Sequence, residues 1–147
     1  TVCSSRGRRP LPDRPPHGDR QKAVDTLIRA IDGDLEEKFK VSQELSSVHN
    51  RDRRKLPDTL ILWLSWWRDL LMISEGNSEL IVNLDWHEQL KERQPRFTSK
   101  DIASHMEKLG ETVDYLNQNS NARITLDVLM LSLEEPRATR SYYAPMG

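Results

Sequence analysis

The side chains most often used for metal binding and covalent catalysis are few in this chain and far apart in sequence. The four histidines are His17, His49, His87 and His105, and none has another histidine four residues away, as on one face of a helix. Cys3 is the single cysteine, so the chain cannot form a cysteine cluster. It lies in a segment that provides no base at a fixed position to activate its thiol. We therefore predict no metal site and interpret the histidines as ordinary surface residues.

The loops and nucleophiles of common enzymes are also missing from the sequence. It contains neither the GxxxxGK[ST] loop nor the GxGxxG loop that hold nucleotide phosphates. Ser65 lies within an apolar segment and lacks the glycines of a nucleophile elbow. The neighbouring carboxylates Glu36 and Glu37, and likewise Glu134 and Glu135, do not face each other on a helix. We predict no catalytic site, no cofactor and no small-molecule ligand.

Two basic segments could contact nucleic acid. The cluster from Arg51 to Lys55 is interrupted by Asp52 and contains no aromatic residue. Residues 1–18 combine four arginines with four prolines, and this composition predicts a disordered tail. The formal net charge of the chain is −1, so no overall field attracts an anionic polymer. A helical nucleic-acid-binding module is one hypothesis, and solvated charges are the simpler interpretation.

Length and composition limit the class of protein. The chain has 147 residues, enough for one domain with a single modest core. One cysteine cannot form a disulfide within the chain, and the N-terminus lacks the apolar run of a signal peptide, so we predict a cytoplasmic protein. The most apolar stretch, residues 60–73, contains Arg68 and Asp69 and is shorter than the roughly 20 residues of a membrane span. We predict no membrane contact.

Apolar residues recur at helical spacing along the middle of the chain. Gly33 ends a first predicted helix, and Asp34 can cap a second one. A charged loop is predicted from His49 to Lys55, and a short helix over residues 86–93. Thr98 can cap a further helix, whose apolar positions are Ile102, Met106, Leu109, Val113 and Leu116.

A long helix that starts near Pro57 carries three of the four tryptophans. Trp63 and Trp67 share its main apolar face, and Trp66 widens that face to nearly the whole circumference. Only a narrow polar strip remains, formed by Asp58, Ser65, Arg68 and Asp69. Each indole can bury on the order of 200 Å². The pattern predicts either the central helix of a bundle or a helix at a subunit interface.

The last apolar element is ambiguous by periodicity alone. Ile124, Leu126 and Val128 alternate as in a strand, whereas Ile124, Val128 and Leu131 fit one face of a helix. Asn121 is a good helix N-cap, and few bulky β-branched residues follow it. We favour a helix. The whole pattern therefore predicts an all-α fold, a single bundle of about five helices over residues 19–134, followed by a disordered tail over residues 135–147.

Two stretches, taken in order, resemble one protein family. The first is LILWLSWWRDLL at residues 60–71, followed by Gly76 and then by VNLD at residues 82–85, and the second is LNQNSNARITLDVLML at residues 116–131. The set is similar to the C-terminal domain of the delta-prime subunit of bacterial DNA polymerase III, and the likeness extends over roughly residues 20–134. In that family, five clamp-loader subunits join through such helical domains into a collar, and the attached ATPase-type modules open the sliding clamp for loading onto primed DNA.

The resemblance implies a non-catalytic assembly domain whose partners are the other clamp-loader subunits, with DNA contacted only indirectly. The residues that match the family, or that we predict for the interface or its structural framework, are Trp63, Trp66, Trp67, Arg68, Asp69, Asn83, Asp85, Asn119, Asn121, Arg123 and Leu126. A cation in the first turn of a helix is mildly unfavourable, so Arg123 should have a specific carboxylate partner, either Asp69 or a group on a neighbouring subunit.

Two features depart from the family pattern. The family often has proline where Ala122 stands here. The family domain also follows an ATPase-like module and a lid, whereas residues 1–18 precede the bundle here, and Gly7 to Pro10 is only a faint counterpart of the expected motif. We therefore expect a fragment of a longer protein, and we do not extend the family's clamp contact or its coupling to ATP use to this chain.

Overall fold

The computed structural model of this chain describes residues 17–118 and 121–133, which form six α-helices and no strand. The helices are α1 (His17–Asp32), α2 (Leu35–Arg51), α3 (Lys55–Ser74), α4 (His87–Arg93), α5 (Ser99–Asn117) and α6 (Ala122–Ser132). Short 3₁₀ turns at Ser78–Leu80, Leu84–Trp86 and Gln94–Arg96 connect α3 with α4 and α4 with α5. The predicted all-α bundle is confirmed.

Side-chain caps mark the beginnings of three helices, at the positions that the sequence predicts. The Asp34 carboxylate accepts a hydrogen bond from the Glu37 N–H at 2.9 Å and caps α2. Thr98 and Asp101 exchange side-chain and backbone bonds in a complete capping box at the start of α5. Asn121 accepts a bond from the Ile124 N–H at 3.0 Å, so the ambiguous last element begins as a helix.

The connection between α1 and α2 requires a glycine. A Cβ atom on Gly33 would lie 2.6 Å from the carbonyl oxygen of Arg29 and 2.7 Å from the Cβ of Glu37. The first of these atoms belongs to the backbone and cannot move away without distorting the last turn of α1. Gly33 therefore allows α1 to end and α2 to begin with only two residues between them.

Helix α3 is the centre of the bundle. It packs against α1, α2, α4 and α5, whereas α6 packs mainly against α2 and α5 on the outside. The largest side chains of the core are fully buried; they are Trp63, Trp66, Trp67, Trp86, Leu27, Leu56, Leu60, Leu70, Leu90, Ile102, Leu126 and Met130. No helix in the described ranges is long and apolar enough to cross a bilayer.

Two predicted boundaries are wrong. Helix α2 continues to Arg51, and α3 already begins at Lys55, so the predicted loop shrinks to residues 52–54. The helix continues because His49 lies on its buried face and the N–H of Asp52 closes the last turn on the carbonyl of Val48 at 2.9 Å. At the N-terminus, α1 takes in residues 17 and 18, which the sequence places in the tail. Residues 1–16, with Cys3, and residues 134–147 lie outside the described part.

Candidate functional site

The tryptophans of α3 are enclosed by helices of this same chain. Trp63, Trp66 and Trp67 are all buried. The indole N–H of Trp63 donates to the carbonyl of Ala23 in α1 at 2.9 Å. Trp67 packs edge to face with both Trp66 and Phe97, with ring centroids 5.1 Å apart in each pair. Two positions were expected for this helix, the centre of a bundle or a subunit interface, and the structure places it at the centre of the bundle. Its three tryptophan rings therefore have no surface left for a partner.

A carboxylate lies buried on another face of the same helix. Asp69 is 0 % exposed. Its oxygens accept hydrogen bonds from the backbone N–H groups of Val82 and Asn83, at 3.1 and 2.8 Å, and from the side-chain amide of Asn83 at 2.8 Å. The Arg68 guanidinium approaches from the solvent side at 3.2 Å. A buried charge needs such donors, because desolvation without them would be prohibitive.

Asn83 links this carboxylate to two further groups. Its amide nitrogen also donates to the Ser65 hydroxyl at 2.8 Å, and its amide oxygen accepts a bond from Arg20 of α1 at 2.9 Å. Arg20 then reaches Asp85 at 3.1 Å. These five residues, Arg20, Ser65, Asp69, Asn83 and Asp85, are called the Asp69 cluster below. The cluster joins α1, α3 and the segment before α4 in one hydrogen-bonded network.

An aromatic ring completes the environment of Arg20. The guanidinium carbon lies 4.4 Å from the centroid of the buried Trp86 ring. A planar guanidinium over an indole is a favourable cation–π contact, and it leaves the N–H groups free to bond in the plane. Trp86 thus fixes the arginine that ties α1 to Asn83 and Asp85.

The structure separates the predicted residues of α6 from those of α3. Arg123 contacts Asp127 one turn later in α6, at 3.3 Å, and both side chains are partly exposed. The predicted alternative of an Arg123–Asp69 pair is wrong, because the Asp69 carboxylate is occupied by the segment before α4. Asn121 caps α6 and Leu126 is buried beneath it. Asn119 lies outside the described residues.

The interpretation of the histidines as surface residues is wrong for two of them. His105 is buried, with its ring centroid 4.7 Å from that of Trp67. Burial lowers the pKa of His105, Asp101 partly offsets this effect and Lys108 adds to it. His49 is also buried, and burial followed by the positive charge of Arg53 lowers its pKa. Periodicity missed both histidines because an imidazole at a core position looks like any polar residue in the sequence.

The described residues contain no candidate metal site. No group of three or more His, Cys, Asp or Glu side chains in residues 17–118 and 121–133 lies close enough to hold an ion. The carboxylate of Asp69 already has four donors around it, so its lone pairs are directed at N–H groups. The chemistry of the Asp69 cluster is therefore structural: it fixes a loop and joins helices.

Large apolar side chains are exposed in groups in two places, apart from the single residues Leu35, Ile61 and Tyr115. On α6, Ile124, Val128 and Leu131 follow one another at spacings of four and three residues and share one face. The second place is the segment before α4, where the exposed residues Leu80, Val82 and Leu84 alternate with the buried Ile81 and Asn83. Val128 is 59 % and Leu84 is 72 % exposed. We call these the α6 stripe and the 80–84 segment.

Sequence reasoning identified part of the Asp69 cluster and missed the rest. Ser65 and Asp69 were marked by the pattern as part of the polar strip of the long helix, and Asn83 and Asp85 as a turn and cap signal, but only the family resemblance set Asp69, Asn83 and Asp85 together. Arg20 and Trp86 were missed, because an arginine in an amphipathic helix and a tryptophan in a short helix have no distinctive spacing. The alternation of Val82, Asn83 and Leu84 gave a misleading signal, because alternation normally buries the apolar side chains and exposes the polar one. In the structure Asn83 is buried, and Val82 and Leu84 are exposed.

Comparison with protein-family models, with curated proteins and with solved structures finds no significant match to this chain. Function is therefore inferred from the sequence resemblance and from the geometry of the described residues.

Proposed function

We propose that this chain is a non-catalytic assembly domain, similar to the C-terminal collar domain of the delta-prime subunit of bacterial DNA polymerase III. In this role it holds neighbouring clamp-loader subunits together in the cytoplasm during DNA replication, and DNA is contacted only through the complete loader. The domain's contribution is geometric, because it offers folded helical surfaces to its neighbours.

One observation supports this proposal most strongly. The family resemblance selects Asp69 on α3 together with Asn83 and Asp85, which are 14 and 16 positions away in sequence. In the structure these three side chains belong to a single hydrogen-bonded cluster. A chance likeness in sequence would have no reason to select residues that act together. The residues that carry the resemblance thus form one physical unit, which fixes the segment before α4.

The buried tryptophans do not contribute to the argument for partners. Their burial is complete within this chain, and a core requires them whether or not a partner exists. The α6 stripe and the 80–84 segment are the two places where several exposed apolar side chains follow one another. Helix α6, which carries the α6 stripe, packs on the outside of α2 and α5, whereas the 80–84 segment adjoins α3, so the two surfaces belong to different parts of the bundle. A ring subunit requires two different surfaces of this kind, one for each neighbour.

Copurification with the other clamp-loader subunits tests the proposal. We expect the tagged chain to recover them at 1:1 stoichiometry. Val128→Asp on the α6 stripe should lower recovery of a neighbour about tenfold, because a charge in an apolar interface is left without a partner. Leu84→Asp should do the same for the 80–84 segment. Failure to recover any loader subunit would contradict the proposal.

A matched control separates interface loss from a general effect of charge. Ser104→Asp adds the same carboxylate at an exposed polar position of α5 and should leave recovery unchanged. Circular dichroism of all three variants checks that the helices are intact. The competing hypothesis, a nucleic-acid-binding module, predicts instead that the isolated chain binds DNA with a steep salt dependence.

A further inference from the structure

The 80–84 segment is held against the outer side of α3 by hydrogen bonds. The side-chain amide of Asn83 donates to the Ser65 hydroxyl at 2.8 Å, and the N–H of Val82 donates to Oδ1 of Asp69 at 3.1 Å. Asn83 is buried by these contacts, whereas Val82 and Leu84 on either side of it are exposed. The exposed apolar side chains of the segment therefore lie beside the middle of α3.

Two exposed side chains of α3 border this segment. Ile61 lies one turn before Ser65 and Arg68 lies one turn after it, so all three residues share one face of the helix. Ile61 is 55 % exposed, and the side chain of Arg68 is 46 % exposed. Because Ser65 between them is bonded to Asn83, both side chains lie close to the segment. We call Ile61, Arg68 and the 80–84 segment together the α3 surface.

Arg68 is the cation of the α3 surface, and most of its donors are unused. Its Nη1 donates to Oδ1 of Asp69 at 3.2 Å, and the same oxygen accepts the Val82 N–H. Within residues 17–118 and 121–133, Asp69 is the only hydrogen-bond or ion-pair partner of Arg68. This bond uses one of the five N–H donors of a guanidinium. In the isolated chain the other donors are left to water.

Covering the apolar side chains would change the surroundings of Arg68. A partner that buries Ile61 and Val82 also removes water from the guanidinium beside them, and a desolvated cation without acceptors is costly. Asp69 cannot supply more acceptors, because its two oxygens already receive bonds from Val82 and Asn83. The acceptors must therefore come from the partner. A carboxylate fits best, since it accepts two parallel bonds from one guanidinium.

We propose that the α3 surface binds a segment of a neighbouring subunit in which apolar side chains surround a carboxylate, and that this carboxylate pairs with Arg68. The proposal rests on the assembly function proposed above and specifies the chemistry of one partner. An arginine enclosed by apolar contacts is among the residues that contribute most to binding at protein interfaces.

The affinity of the full chain for each purified clamp-loader subunit, measured by biolayer interferometry, tests the proposal. Leu84→Asp first identifies the subunit that binds the α3 surface. Arg68→Ala should weaken binding of that subunit about tenfold, the loss expected for one charge-assisted pair. Arg68→Glu should weaken it about a hundredfold, because two carboxylates would then face each other. The subunit that depends on Val128 should bind both variants as it binds the wild type.

A second exposed arginine provides the matched control. Arg54 precedes α3 and lies about 20 Å from Arg68 along the helix axis. Arg54→Glu makes the same change of charge outside the α3 surface and should weaken binding less than about twofold. Equal effects of Arg54→Glu and Arg68→Glu would reduce the interaction to general charge attraction and would overturn the proposal.

Hydrogen exchange separates a contact with the partner from an effect on the Asp69 cluster. Arg68 touches Asp69, so its loss could in principle release the 80–84 segment. We expect the amides of Val82 and Asn83 to exchange in Arg68→Ala as slowly as in the wild type, because their acceptor remains in place. Faster exchange of these amides together with weaker binding would assign the loss to the Asp69 cluster and would overturn the proposal.

A carbodiimide, which joins an amine to a carboxylate in contact with it, identifies the partner group directly. In the complex, Arg68→Lys should become cross-linked to an aspartate or glutamate of the bound subunit, whereas Arg54→Lys should not. Mass spectrometry of the cross-linked peptides locates the carboxylate. A complex that forms without a cross-link at position 68 would overturn the proposal.

The outcomes distinguish this proposal from the assembly function. If no clamp-loader subunit binds the wild-type chain, the assembly function fails and the proposal fails with it. If a subunit binds and is weakened by Leu84→Asp but not by the Arg68 substitutions, the assembly function stands and the pairing of Arg68 with a carboxylate is wrong.

Discussion

Two faces of α3 are both buried, but they are held in different ways. On one face, Trp67 packs against Trp66, Phe97 and His105 by ring contacts. On the other, Asp69 is enclosed by N–H donors from the segment before α4. The first face gains free energy from the removal of apolar surface from water. The second must first offset the desolvation of a carboxylate.

The two faces differ in how strictly burial fixes the positions of the groups around them. An apolar contact tolerates small shifts, because dispersion and hydrophobic forces have little directionality. The Asp69 cluster has one arrangement in which all its donors and acceptors are satisfied. The apolar face therefore supplies most of the stability of the bundle, whereas the Asp69 cluster determines where the segment before α4 lies and how α1 meets it.

The largest effect is expected on the apolar face. Trp67→Ala should lower the free energy of unfolding by about 3–5 kcal/mol, because the substitution removes a fully buried indole and leaves a cavity among rings that cannot collapse into it. Urea denaturation followed by circular dichroism measures the change.

Trp67→Phe is the matched variant for this position. It keeps an aromatic ring against Phe97 and should recover a large part of the loss. A loss below about 1 kcal/mol for Trp67→Ala would mean that the ring is not the centre of the core, and the contrast between the two faces would fail.

On the polar face, Asp69→Ala should lower the free energy of unfolding by about 3 kcal/mol, because it leaves the N–H groups of Val82 and Asn83 buried without an acceptor. Hydrogen exchange should show faster exchange for these two amides in particular, a change that Trp67→Ala would not produce selectively.

The ion-pair partner of Asp69 is the control. The Arg68 side chain is 46 % exposed, so Arg68→Ala should change stability by less than about 1 kcal/mol. If removing Arg68 were as costly as removing Asp69, the carboxylate would be held by charge pairing, and the directional N–H bonds would be secondary.

A smaller loss is expected for the side chain that ties α1 to the cluster. Arg20→Ala should lower the free energy of unfolding by about 1–2 kcal/mol, because the hydrogen bond to Asn83 and the contact with the Trp86 ring are both lost. Lys22→Ala, at an exposed position on the same helix, should stay within about 0.5 kcal/mol. Equal losses in these two denaturation experiments would exclude a specific role for Arg20.

The helices could be predicted from the sequence because their signals are local. Asp34, Thr98 and Asn121 cap the helices that follow them, as their positions indicate. The helix over residues 55–74 also follows from its pattern, since an apolar surface on nearly every side must be enclosed. Helix ends were less certain, because the polar residues between His49 and Lys55 suit a helix as well as a loop.

The polar contacts could not be predicted in the same way, because they join residues far apart in sequence. Asn83 lies 63 positions from Arg20, and no periodicity connects them. The family resemblance marked Asp69, Asn83 and Asp85 without indicating their bonds. It was also of no help with Arg123, whose partner Asp127 lies in the same helix. Which carboxylate an arginine meets is decided by how whole helices pack.

The smallest loss in the free energy of unfolding is expected for a substitution of His105, the titratable residue on the apolar face. Burial is the main cause of its lowered pKa, so the folded state favours the neutral ring, whereas the unfolded chain has the ordinary value of 6.5. The unfolded state therefore binds more protons as the pH falls below 6.5. Stability should be fully present above that value and should decrease on acidification.

His105→Phe removes this titration and keeps a ring beside Trp67. Urea denaturation at pH 7.5 and at pH 5.5 should show a smaller loss of stability on acidification for the variant than for the wild-type chain. Part of the pH dependence should remain, because the pKa of His49 is lowered as well. At pH 7.5 the variant should be as stable as the wild type or more so, since the Nε2 atom that it removes has no partner. An unchanged pH dependence would show that the apolar face accommodates a charged ring, and the contrast with the face around Asp69 would then lose its physical basis.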